Sequence, residues 1–196
     1  RAQLGRRDLD ALAAAGALVG LSGHRHRARW AVAGVEPALP LLEEAPIAEA
    51  LPMLRPPTEG QDIVADYASI GLTLRRHPLA LLRGQLSARR LLSARQIRER
   101  EHGEPVATAG LVICRQHPSS AAGTIFVTLE DETGNTNIIV WDSVATRGRR
   151  ALLGSRLMAV HGEVQREGEV LHVIARELAD LSPLLGNLTV ASRDFR

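Results

Sequence analysis

The chain has 196 residues, a formal net charge of +2 and 45% hydrophobic content, enough for one good-sized domain or two small ones and too apolar to stay disordered. No run approaches the ~18 apolar residues of a membrane-crossing helix, Arg1–Asp8 lacks the pattern of a secretion signal, and the single Cys114 excludes an internal disulfide and fits a reducing cytoplasm. Arginine fills all 24 Lys+Arg positions, so the placement of the arginines says more than their total.

The sequence begins without Met, inside a helical pattern in which Leu4, Leu9, Leu12 and Ala15 share a face. This reads as a piece of a longer protein. Gly16, Gly20 and Gly23 punctuate that helix, and a second one carrying Arg25, Arg27, Arg29 and Trp30 follows. From Glu36 to Arg76, Pro37, Pro40, Pro46, Pro52, Pro56 and Pro57 predict a connector with short helical turns, mobile from Pro37 to Pro57. Pro78–Arg100 is read as one basic helix, opened by the rigid His77-Pro78 step and carrying Arg83, Arg89, Arg90, Arg95, Arg98 and Arg100.

Strand patterns then take over. Val106–Arg115 is apolar on both faces, as a strand shared by two sheets would be. Thr124–Glu130 and Thr136–Trp141 alternate, and Asp131-Glu132-Thr133-Gly134-Asn135 between them reads as a hairpin turn with Gly134 at positive φ. Asp142 is expected to cap a short helix that stops at Gly154, and Arg156–Gln165 with Val170–Glu177 closes a last hairpin. Three strands, a helix and two strands is the order of the oligonucleotide-binding (OB) barrel. The expected class is therefore α+β, divided as a helical region 1–35, a connector with a basic helix 36–103, a five-stranded barrel 104–185 and a tail 186–196.

Alternation assigns Ile125, Val127, Leu129, Ile138 and Val140 to the barrel interior, which leaves Phe126, Thr128, Asn137 and Trp141 facing out. Two of these are aromatic and able to stack on bases, and Arg115, Arg147, Arg149, Arg150 and Arg166 are candidates to hold phosphates nearby. Arg89 and Arg90 offer a second basic patch, weighed against a plain solvated helix face. Glu130, Asp131 and Glu132 are adjacent in one hairpin, whereas two-metal catalysis needs carboxylates converging from separate elements. They are read as solvated turn carboxylates. The histidines are scattered without zinc spacing, and neither a phosphate loop nor a nucleophile elbow is present, so no catalytic or metal residue is assigned.

Several segments together resemble the bacterial error-prone C-family DNA polymerases (DNA polymerase III alpha-subunit type). In the first half these are Leu12–Ala17, Asp66-Tyr67 with Gly71-Leu72, and His77-Pro78-Leu79 through Leu82-Arg83. In the second half they are Gly110–Gln116, Phe126–Gly134, Asn137–Trp141, His161–Gln165 and His172–Ala175. The resemblance implies the C-terminal region of a translesion polymerase, beginning at the end of its tandem helix-hairpin-helix region and carrying a single-stranded-DNA-binding barrel. It also implies a catalytic palm upstream, where aspartates hold Mg²⁺. The partners it implies are single-stranded template DNA, an inactive Y-family-like adaptor and a recombinase-like accessory protein. Gln61-Asp62-Ile63-Val64-Ala65 lacks the terminal aromatic of a clamp-binding motif, so direct clamp binding is not assigned. A stand-alone single-strand-binding barrel and a tRNA anticodon-binding domain are the competing readings.

Overall fold

The computed structural model describes residues 4–35, 52–118 and 123–188, together with the backbone of 193–195. It divides into two compact units, Arg1–Thr73 and Leu74–Arg196. That boundary falls inside the expected connector. Most of the proline-rich stretch expected to be mobile, residues 36–51, lies outside the described residues.

In the first unit, α1 (Arg6–Ala14), the short α2 (Val19–Ser22) and α3 (Arg25–Ala33) occupy the first helical region. The small residues Ala13, Ala28 and Val32 let α1 and α3 pack closely, with Leu9 and Leu18 against them. Arg6 donates to the Ala33 and Val35 carbonyls at 2.8 Å each, placing a cation at the carbonyl end of α3. The expected connector with short helical turns instead contains a twelve-residue helix, α4 (Glu59–Ile70). A reciprocal capping box of Thr58 and Gln61 starts it, a signal present in the sequence as Thr-x-x-Gln. Buried Arg25 joins α3 to α4 through Asp62 Oδ1 at 2.8 Å and through Asp66 Oδ1, while Thr73 Oγ1 donates to Asp66 Oδ2 at 2.6 Å.

In the second unit the expected long basic helix is broken in two: α5 (Pro78–Ala88) and α6 (Ala94–Arg98). Pro78 does open α5, and His77 Nδ1 accepts from Leu79 N at 3.1 Å. The break has a tertiary cause. Leu92 leaves helical geometry to bridge Thr108, whose hydroxyl donates to the Leu92 carbonyl at 2.8 Å. Arg90 turns the chain there at φ +60°.

The barrel strands are β1 (Pro105–Gln116), β2 (Ile125–Asp131), β3 (Gly134–Val140), β4 (Leu157–Glu167) and β5 (Val170–Asp180). Each pairs with two others in the closed order β1-β2-β3-β5-β4-β1. This is the five-stranded OB barrel, with α7 (Asp142–Arg147) and α8 (Arg149–Gly154) between β3 and β4. β1 is shared as expected: Pro105–Leu111 pairs with β4, Leu111–Gln116 with β2, and an irregularity between Val112 and Cys114 turns it from one to the other. The segment expected as a tail returns as β6 (Arg193–Phe195), parallel to the end of β1.

Val127, Leu129, Ile138 and Val140 are all at most 2% exposed and meet Val112, Met158, Val160, Val164 and Val173 inside the barrel. Ile125 packs against this core. Each such side chain contributes about 1.5–3 kcal/mol of burial. Gly134 stands at φ +132°, as the turn requires. At Gly162 a Cβ would lie 2.2 Å from the Ile174 carbonyl oxygen, beside an irregularity in the β4–β5 register.

The acidic turn is not solvated. Asp131 is 5% exposed, and its Oδ2 accepts from Ala94 N at 2.7 Å and from Arg83 Nη2 at 3.1 Å. Its Oδ1 accepts from the Thr133 amide and hydroxyl, each at 2.7 Å. Glu132 receives Arg83 Nε at 2.5 Å and Nη2 at 2.9 Å. The turn carboxylates thus anchor α5 and start α6, and Arg83 is their counter-ion rather than a surface charge.

Candidate nucleic-acid interface

Register places the outward side chains of the barrel in rows. Cys114, Thr128, Asn137, His172 and Gln165 stand side by side across β1, β2, β3, β5 and β4. The next row is Gln116, Phe126, Ile139, Ile174 and Glu163. A polar row that can hydrogen-bond to base edges therefore lies against one whose three central residues, Phe126, Ile139 and Ile174, are apolar and can take base faces. Thr128 Oγ1 and Asn137 Oδ1 are 3.3 Å apart. The Nδ1 of His172 is buried with no hydrogen-bond partner among the described residues.

Three of the four outward residues expected from alternation, Phe126, Thr128 and Asn137, stand in these rows, and Trp141 follows directly after β3. Phe126 is half-buried and Asn137 exposed, while Trp141, at the N-terminus of α7, is 50% exposed. Asp142 follows as the first helical residue instead of the cap. Ile139 shares the face by the same alternation, two residues beyond Asn137 on β3; His172 and Ile174 were not nominated, because the β3–β5 pairing that brings them in is long-range and parallel.

The two rows contain no arginine, and the nominated cations are distributed differently from expectation. Arg115 turns to the carbonyl end of α8, donating to Leu152 O at 2.6 Å and Ser155 O at 2.5 Å. Arg166 donates to the Arg98 and Arg100 carbonyls at 2.8 and 3.0 Å, closing the end of α6. Both serve the fold. Arg89 and Arg90 are exposed in the bend after α5. The cations beside the face are Arg176, two residues beyond Ile174 on the same side of β5, and Arg147 at the end of α7. These two line one cleft with Val144, Gly148, Glu177 and Leu178. Arg176 also pairs with Glu163 in an exposed ion pair.

Burial holds the His77 imidazole below the ordinary histidine range, against the opposing pull of Glu130, Glu132 and Asp131. Hydrogen bonding to Glu132 raises the Arg83 guanidinium further.

No family model matches the chain. Among known proteins, it is 56% identical over 195 residues to the error-prone DNA polymerase of Alkalilimnicola ehrlichii, and 53% identical over 196 residues to those of Methylococcus capsulatus and Pseudomonas aeruginosa. In each case all of this chain aligns with 19% of the relative. Among solved structures, asparaginyl-tRNA synthetase from Pyrococcus horikoshii aligns over 52% of this chain and 24% of its own, at 19% identity and a TM-score of 0.40. In sequence, the whole chain corresponds to a segment of the error-prone DNA polymerases, spanning about a fifth of the length of the relatives it matches.

Proposed function

We propose that this chain is the template-handling C-terminal part of a cytoplasmic error-prone DNA polymerase and that its barrel binds single-stranded DNA across the outward face of β2, β3 and β5. The observation that carries the reading is the apolar row Phe126–Ile139–Ile174, set beside the polar row Thr128–Asn137–His172, with half-exposed Trp141 directly after β3. Bases lie on the first row and present their edges to the second, while Arg176 and Arg147 meet the phosphates. Unbroken similarity through both units supports a polymerase segment over a free-standing barrel or an anticodon-binding domain. In the parent protein, deoxynucleotide addition opposite damaged template takes place at a palm elsewhere, with an inactive Y-family-like adaptor and a recombinase-like protein as partners. The Mg²⁺ of that palm does not fit here: Asp131 and Glu132 are held by Arg83, and no group of three metal-ligating side chains occurs among the described residues.

Fluorescence anisotropy with labelled oligo(dT), run beside thermal melting, tests the reading. Phe126→Ala weakens binding about ten-fold, within the ~1–3 kcal/mol of one stacked base, and Arg176→Ala flattens the salt slope by about one phosphate contact. Unchanged affinity in both variants, with the fold intact, refutes this face as the binding surface.

A further inference from the structure

A second groove lies in the first unit and is independent of the barrel face. On α3, His26, Arg29, Trp30 and Ala33 follow at the i, i+3, i+4, i+7 spacing of one helix face. That face is distinct from the one on which Ala28 and Val32 are buried. It forms one wall of a groove of about 610 Å³, and Leu54, Arg55 and Pro56 form the other. The walls are tied together by His26 Nδ1, 2.8 Å from the Arg55 carbonyl oxygen. Trp30 is 50% exposed. The segment 52–56 carries a second depression on its other side, lined by His24, Arg27 and fully exposed Met53. Two guanidiniums, of Arg29 and Arg55, therefore line the groove with one exposed indole. Asp10, the acidic residue of the lining, stands 3.9 Å from Arg6 in an exposed pair.

We propose that this groove binds a single-stranded nucleic-acid segment, with one base stacked on Trp30 and the adjoining phosphates on Arg29 and Arg55. An exposed indole with one free face stacks any base, and forked guanidiniums on both walls match the phosphates on either side of it. A duplex keeps its bases paired and cannot present one to the indole. An acidic peptide would satisfy the arginines and leave the indole face without its partner.

The chain has two tryptophans, so Trp141→Phe makes Trp30 the sole indole reporter. Titrating that variant with a short oligo(dT) is expected to quench its emission saturably, and blunt duplex DNA or oligo-glutamate at equal charge is expected to leave it unchanged. Adding Phe126→Ala, which weakens the barrel face about ten-fold, leaves the midpoint of the quenching unchanged, so the two sites are judged separately. Arg55→Ala, in an exposed segment, should lower the salt slope by about one, and Trp30→Ala should weaken binding about ten-fold with unchanged melting. Absence of quenching by oligo(dT) overturns the proposal, as does equal quenching by duplex. Quenching by oligo-glutamate alone makes the groove a peptide site and overturns it as well.

Discussion

Replacing Asp131 with Ala tests the finding that the hairpin turn is an anchor. The carboxylate is 5% exposed and accepts four hydrogen bonds, from Ala94 N, Thr133 N, Thr133 Oγ1 and Arg83 Nη2. Truncation strands the Ala94 and Thr133 donors and removes one of the two carboxylates facing Arg83. Hydrogen bonds to a charged group are worth about 1.5–3 kcal/mol each, and breaking a buried pair costs about 3–5 kcal/mol. Glu132 retains Arg83, and water reaches the Thr133 side, so the sum falls short of full additivity. The expected loss is about 3–5 kcal/mol. Asp131→Asn presents one oxygen and one amide donor, so it satisfies either the Ala94 side or the Thr133 side; about 2–3 kcal/mol is expected. Urea unfolding, monitored by circular dichroism with equal slopes required, reads both values. A loss under about 1 kcal/mol for Asp131→Ala would refute the anchoring role and restore a solvated turn.

Two further outcomes follow from the same structure. Gly162→Ala puts a methyl 2.2 Å from the Ile174 carbonyl oxygen, a backbone atom that no rotamer change can move. A loss of more than about 3 kcal/mol or an insoluble chain is expected, whereas Gly154→Ala, with nothing within 4 Å, stays within about 1 kcal/mol of the parent in the same urea titration. The His77 imidazole is held below its ordinary value of 6.5 by burial, so the unfolded chain takes up the proton first on acidification. Its contribution is therefore complete above about pH 6.5 and declines as pH falls from there towards the folded-state value. His77→Asn, which keeps an acceptor for Leu79 N, should remove that part of the pH dependence of the melting temperature.

The sequence by itself determined the barrel's inside and outside. Strand alternation has a period of two residues, and the turn needs only one glycine of suitable φ, so Val127, Leu129, Ile138, Val140 and Gly134 were legible from their neighbours. The same local logic placed Phe126, Thr128 and Asn137 together. It could also have found α4, since Thr58 and Gln61 spell its capping box. Tertiary structure alone decided where the arginines point. Arg25, Arg83 and Arg115 find partners 37 to 49 residues away, and each fills a need created by folding: buried carboxylates for the first two, open helix carbonyls for the third. A long flexible cation carries no periodic signal of its destination, and the same residue type serves a phosphate, a carboxylate or a carbonyl equally well. The break between α5 and α6 and the joining of His172 and Ile174 to the outer face likewise depend on pairings with distant strands. Local propensity cannot encode these, because their free energy exists only once the barrel has closed.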